Sequence, residues 1–147
     1  MLLTSPTMTP AQLLSRLGRS MLQYVAETDP WVPDEEESKK VHLLALAQRQ
    51  RQDVDRLVEL IFRRREIPDF GYYPVDYTDL QYLALNTVFP RLIRDQHELL
   101  GAVEATNAAL GSVSDGRPVL LEILSNESRI LDELREIANH DASLGDS

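Results

Sequence analysis

The chain has 147 residues and no cysteine, which excludes a disulfide scaffold, a thiolate metal site and a cysteine nucleophile. Its formal net charge of −9 at pH 7 argues against general nucleic-acid binding, because the phosphate backbone would repel the molecule. The length fits one domain, which we expect to extend over residues 1–147. The apolar runs are short and interrupted by charge, so we expect no segment that spans a membrane. Residues 1–8 do not resemble a secretion signal, and we expect a cytoplasmic protein.

The first predicted helix covers residues 9–26. Thr9 and Gln12 have the spacing of a capping box, and Pro10 between them suits the first helical position. Apolar residues then recur every three or four positions, as one buried face of a helix requires. They are Leu14, Leu17, Met21 and Tyr24.

The second predicted helix covers residues 34–65. Asp34 is its expected N-cap, with Glu37 three residues later as the capping partner. Its apolar seam has alternating spacings of four and three residues, with one polar residue at the centre: Leu43, Ala47, Gln50, Val54, Leu57 and Ile61. Asp53 lies about one turn after Gln50 and should face nearly the same way.

Residues 66–77 form an aromatic connection with two prolines and one glycine. A hairpin between antiparallel helices needs only a few residues, so this length predicts a crossover along a bundle. We expect the aromatic side chains of Phe70, Tyr72 and Tyr73 to pack against the sides of the helices.

The third predicted helix covers residues 78–110, with Thr78 at its start and a kink or break at Pro90. Its seam again has one polar residue at the centre: Leu85, Phe89, Leu92, Gln96, Leu99 and Val103.

The fourth predicted helix covers residues 118–139, and Pro118 suits its first turn. Its seam shows the same kind of interruption: Leu120, Ile123, Glu127, Ile130, Leu134 and Ile137. No β-strand pattern competes with these helices, so the sequence predicts an all-α four-helix bundle.

One polar residue therefore interrupts the seam of each of three helices, at Gln50, Gln96 and Glu127. A buried carboxylate must be neutral, hydrogen-bonded, paired or metal-bound, because an isolated buried charge is costly. The two amides can donate to Glu127, which predicts an interior polar layer that fixes the helix register. Arg51 or Arg129 is a candidate counter-charge.

The helix lengths, the crossover and the mid-helix polar positions resemble the ferritin-like superfamily. Members with a two-metal centre use a Glu from each of two helices and a Glu-x-x-His element from each of the others. The resemblance implies that Gln50-Arg51-Gln52-Asp53 and Glu127-Ser128-Arg129-Ile130 correspond to the two elements, with only one glutamate kept. Gln96 would replace the glutamate of the third helix. Gln23 is the nearest polar candidate on the first helix, off its apolar stripe.

The three histidines argue against a complete metal centre. None of His42, His97 and His140 has a glutamate three positions before it, so no Glu-x-x-His occurs. Amides are poor ligands for iron or manganese because they supply no charge. We therefore predict no cofactor and favour a protein without catalytic activity. An altered iron or manganese centre that uses Glu127, Asp53 and His97 is the alternative.

The first functional hypothesis is a non-catalytic ferritin-like bundle that acts as a binding or protein-interaction module and forms a homodimer. Four apolar residues outside the seams could form the interface or could equally complete a broad core stripe. They are Leu13, Leu22, Leu46 and Val58. A second hypothesis is the altered metal centre. A third is a small-molecule cavity around the amides, with local room made by Pro90.

Overall fold

The structure is a computed structural model that describes residues 8–111 and 114–145, with the side chains of 81, 82 and 140–145 left out. Within this part every regular element is helical, so the fold is all-α. Five α-helices follow one another: α1 (Pro10–Gly18), α2 (Met21–Thr28), α3 (Glu37–Arg63), α4 (Leu85–Leu110) and α5 (Arg117–Gly145). Short 3-10 helices cover Asp34–Glu36 and Val75–Tyr82. In the described part of the chain, no helix combines the length and apolar character that crossing a membrane requires.

The single helix predicted over residues 9–26 is wrong, because the chain turns between α1 and α2. The capping box at Thr9 is confirmed, with both of its hydrogen bonds formed. Ser20 has an extended backbone, and its hydroxyl accepts a hydrogen bond from the Gln23 N–H, so it caps α2. The apolar spacing continues across this turn, and spacing alone therefore predicts one helix where capping makes two.

The predicted caps Asp34 and Thr78 are also wrong. Asp34 begins a short 3-10 helix, and α3 follows it without a side-chain cap. Thr78 lies inside a 3-10 helix, where its hydroxyl donates to the Val75 carbonyl, and α4 begins only at Leu85. Short polar side chains stabilise such local turns as well as helix starts, which explains both errors.

Helix α4 continues through Pro90, so the predicted break does not occur there. Proline lacks the N–H that would bond the Asn86 carbonyl, which removes one hydrogen bond from the second turn. The flanking side chains of Val88, Phe89 and Leu92 are all buried and hold this turn against the core.

The apolar core consists of two clusters, one at each end of the bundle. One contains α2, the beginnings of α3 and α4, and the end of α5. The other contains α1, the ends of α3 and α4, and the beginning of α5. Helices α3 and α4 are therefore parallel, and α1, α2 and α5 run the opposite way. The connection from α3 to α4 must return along the bundle, which is the crossover that its length predicts.

Every predicted seam position of α3, α4 and α5 is buried. Leu13, Leu22 and Leu46 are also buried, and Val58 packs against the cluster at the α1 end. The second possibility for these four residues, completion of a broad core stripe, is therefore confirmed. The three leucines therefore offer no surface to a second copy of the chain, and Val58 is partly buried.

The crossover packs against α1 and α2 through some of its aromatic residues. The rings of Tyr24 and Tyr73 meet edge to face, with centroids 5.1 Å apart. Gly71 has φ +65°, and a Cβ there would lie 2.3 Å from the Ser15 hydroxyl, so the crossover can approach α1 this closely only with glycine. The packing predicted for Tyr72 is wrong, since 95% of this residue is exposed.

Candidate functional site

Six side chains form a hydrogen-bonded group halfway along the bundle, between the two apolar clusters. We call them the interior polar layer: Ser20, Gln23, Gln50, Asp53, Gln96 and Glu127. All six are buried. The predicted convergence of Gln50, Gln96 and Glu127 is confirmed, and Asp53 faces inward beside them. Gln23 also belongs to the layer, because the turn at Ser20 changes the face that α2 presents to the core.

Gln50 connects the helices of the bundle through both ends of its amide. Its Nε2 donates to Glu127 Oε1 at 2.7 Å and to Gln96 Oε1 at 3.3 Å. Its Oε1 accepts from Ser20 Oγ at 2.6 Å and from Gln23 Nε2 at 3.0 Å. One side chain of α3 is thus bonded to the start of α2, to α4 and to α5.

Gln96 holds α4 against α5 at the same height. Its Nε2 donates to Glu127 Oε1 at 2.9 Å and to the Glu127 carbonyl at 3.0 Å. Together with the bond from Gln50, two N–H donors therefore meet one carboxyl oxygen of Glu127. These bonds complete the predicted interior layer.

The surroundings of the second carboxyl oxygen of Glu127 indicate whether this carboxyl group carries a proton. Glu127 Oε2 and Asp53 Oδ2 are both buried without a donor, and the two carboxyl groups are close enough for one of them, when protonated, to donate to the other. Burial raises the pKa of Glu127 well above its usual value, and the contact with Asp53 raises it further, against the effect of the two glutamines. A neutral Glu127 that donates its proton to Asp53 gives both orphan oxygens a partner.

Arg56 supplies the counter-charge for Asp53. Asp53 Oδ1 accepts from Arg56 at 2.7 Å and from Asn126 at 3.0 Å. The predicted counter-charges Arg51 and Arg129 are wrong, since both are exposed and neither bonds Glu127. The i, i+3 spacing from Asp53 to Arg56 was the signal in the sequence that would have identified the pair.

The residues present do not fit a two-metal centre of iron or manganese. His97 is exposed and does not join Glu127 and Asp53, so the predicted three-residue metal set is wrong. Among the described residues no group of three or more His, Asp or Glu side chains lies close enough to hold a metal. Two amide N–H groups point at Glu127 Oε1, where they would repel a cation bound to the same oxygen.

A second buried carboxylate, Asp95, lies where the first predicted helix is broken. Asp95 accepts from Arg16 at 2.8 Å, from the Met21 backbone N–H at 3.0 Å and from the Tyr77 hydroxyl at 3.1 Å. It thereby joins α1, α2 and the crossover to α4. Burial raises the pKa of Tyr77 well above its usual value, and the charge of Asp95 adds to this. Sequence reasoning missed Asp95, although it precedes a seam residue and follows the cationic Arg94.

An open cleft of about 470 Å³ lies outside Asp95, between α1, the crossover and α4. We call it the arginine cleft, because four of the chain's basic residues line it: Arg16, Arg19, Arg91 and Arg94. Tyr72, Asp76 and Glu98 complete its rim. No residue of the interior polar layer lines this cleft. This cleft was not predicted from the sequence, because its arginines come from two segments far apart in the chain.

Comparison of the chain with protein-family models, with curated proteins and with solved structures gives no match. The two features of the molecule that bear on its function are the interior polar layer and the arginine cleft.

Proposed function

We propose that the protein is a non-catalytic bundle of the ferritin-like type that acts as a binding module. Helices α1 and α2 together take the place of the first helix in such a bundle. The parallel course of α3 and α4, with one long crossover between them, supports this proposal. The observation that carries it is the interior polar layer, in which amides donate hydrogen bonds to the buried Glu127, whose pKa is raised by burial.

The role we propose for the interior polar layer is structural. Its members are buried, so they cannot contact a substrate from solution. Its hydrogen bonds connect α2, α3, α4 and α5 at one height, and sliding any of these helices by one turn would leave several buried polar groups unpaired. A polar layer of this kind disfavours other registers, as single polar seam residues do in coiled coils.

The surface that we propose for binding is the arginine cleft. It is concave, and its volume of about 470 Å³ lies in the range of small-molecule sites, which is roughly 300–1,000 Å³. The sequence suggested a small-molecule site around the buried amides. We propose such a site in the arginine cleft instead, on the outer face of α4. A cytoplasmic location stays a prediction.

The variant Glu127→Gln tests the structural role and the protonation of the layer. Its amide oxygen can accept both glutamine bonds, and its NH₂ group can donate to Asp53 in place of the acid proton. The unfolded chain loses the Glu127 proton above pH 4.5, the usual value, whereas the folded protein keeps it because its pKa is raised. Wild-type stability should therefore fall with rising pH relative to the variant, by about 1.4 kcal/mol per pH unit. This difference should grow until the pH reaches the raised pKa.

The measurement is urea unfolding of both proteins from pH 4 to pH 9, together with metal analysis of protein purified without chelator. The exposed Glu104→Gln on the same bundle is the matched control and should show no such pH-dependent difference. A stoichiometric metal in the wild type that is lost in Glu127→Gln would contradict the proposal. That result would support the alternative, a cation held between Glu127 and Asp53.

We also propose that the protein self-associates as a homodimer. Because Leu13, Leu22 and Leu46 are buried within one chain, the interface must use other residues. Light scattering at high micromolar concentration should give twice the mass of the chain. A strict monomer at that concentration would contradict this proposal and leave the binding role untouched.

A further inference from the structure

The four arginines of the arginine cleft differ in how strongly other residues of the protein bind their guanidinium groups. Arg16 is held by the Asp95 carboxylate and backbone carbonyl. Arg19 donates its Nε to the Gly71 carbonyl, and its guanidinium lies 5.0 Å from the centroid of the Tyr73 ring. Arg19 thus holds the crossover and Arg16 is bound to α4, so both add positive potential to the cleft while their guanidinium groups already have partners.

Arg91 and Arg94 are held less firmly than Arg16 and Arg19. Arg91 forms only a long ion pair with the exposed Asp79, at 3.7 Å, which is too long for a hydrogen bond and can be replaced by a bound anion. Arg94 is exposed and forms no hydrogen bond or ion pair with any described residue. The two are three residues apart on α4, so their side chains leave the same face of the helix as neighbours.

Two neighbouring guanidinium groups repel each other, and an anion of charge −2 would remove that repulsion. A guanidinium presents paired N–H groups whose geometry matches a phosphate. On a protein with a net charge of −9, such an arginine pair is a place where an anion can be held. The pair therefore indicates a phosphate monoester as the ligand group.

Carboxylates also line the arginine cleft and restrict the rest of the ligand. The Asp95 carboxylate already accepts hydrogen bonds from within the protein. Asp76 and Glu98 are exposed and can contact a ligand. An ionised carboxylate accepts hydrogen bonds, so it suits hydroxyl groups and repels a second phosphate. Tyr72 is almost fully exposed at the same rim and offers an aromatic face to the C–H groups on one side of a saturated ring.

We propose that the arginine cleft binds a sugar phosphate, with the phosphate on Arg91 and Arg94 and the sugar hydroxyls on Asp76 and Glu98. This inference rests on the proposed binding function and names its ligand class. The ring of the sugar lies against Tyr72. A polynucleotide does not fit the same chemistry, because its successive phosphates would meet the carboxylates and the overall negative charge.

The experiment is a calorimetric titration of the full chain with glucose 6-phosphate, and separately with glucose, inorganic phosphate and succinate. The sugar phosphate should bind more tightly than either glucose or inorganic phosphate. The double variant Arg91→Ala/Arg94→Ala should weaken this binding by about tenfold or more, since two charge-assisted contacts are lost. Both residues lie on the surface of α4, and circular dichroism checks that the variant is folded.

The matched control is Arg129→Ala, an exposed arginine of α5 that is not part of the cleft, which should leave binding unchanged. No binding of glucose 6-phosphate at millimolar concentration, or equal binding by the double variant, would overturn the inference. Tighter binding of succinate that depends on Arg91 and Arg94 would also overturn it, while leaving the binding function in place. The proposed function as a whole fails on a different result, the stoichiometric metal lost in Glu127→Gln.

Discussion

Replacing Gln50 by leucine should lower the free energy of unfolding by about 3 kcal/mol. The side chain is fully buried and takes part in hydrogen bonds with Ser20, Gln23, Gln96 and Glu127. Leucine leaves the donors of Ser20 and Gln23 without this acceptor, and each buried unsatisfied group costs about 1–3 kcal/mol. The apolar surface gained by leucine offsets only part of this cost.

The effect should be read from urea unfolding curves against the control Gln52→Leu, which changes an exposed glutamine of the same helix. The control should stay within about 0.5 kcal/mol of the wild type, as is usual for surface positions. If Gln50→Leu were as stable as Gln52→Leu, the interior polar layer would not hold the bundle together. Its members would then have to be explained by another role.

Replacing Asp95 by alanine should also cost about 3 kcal/mol, through a different mechanism. Asp95 is 8% exposed, and its replacement removes the acceptor of three donors, from Arg16, Met21 and Tyr77, of which only Arg16 keeps another bond, to the backbone carbonyl. Breaking a buried ion pair from one side typically costs about 3–5 kcal/mol. Arg16 keeps 26% of its side chain exposed and can turn to water, which places the effect at the lower end.

Asp95→Asn separates charge from hydrogen bonding at this position. The asparagine oxygen can still accept from Met21 or Arg16, so this variant should lie between Asp95→Ala and the wild type. The exposed Asp132→Ala on α5 is the control and should change the unfolding free energy little. Equal stability of Asp95→Ala and Asp132→Ala would show that the corner between α1 and α2 does not depend on Asp95.

The break between α1 and α2 explains why the interior polar layer and the buried Asp95 lie so close together. A helix that begins inside a bundle exposes backbone N–H groups that water cannot reach. Ser20 accepts from the Gln23 N–H, and Asp95 accepts from the Met21 N–H. The Ser20 hydroxyl then donates to Gln50, so the cap of α2 is part of the interior polar layer. The layer and the helix break therefore stabilise each other.

The periodicity of the sequence was sufficient for the all-helical fold and for the buried seams. Gln50, Gln96 and Glu127 were located correctly because a polar residue at a seam position has no other direction in which to point. Periodicity failed at the helix ends, where a short polar side chain suits a cap, a turn or a 3-10 helix equally well. It also placed Gln23 off the buried face, because the break at Ser20 changes the helical phase.

The sequence by itself determined which faces of the long helices are buried and at what height the core becomes polar, because both follow from spacing along one helix. Only the tertiary structure decided how the polar groups pair. The contact between Glu127 and Asp53, and the bonds from Arg16 and Tyr77 to Asp95, join residues that are distant in the chain. The arginine cleft arises in the same way. Residue spacing describes the surface of each helix separately, and only folding brings the residues near α1 and those of α4 together.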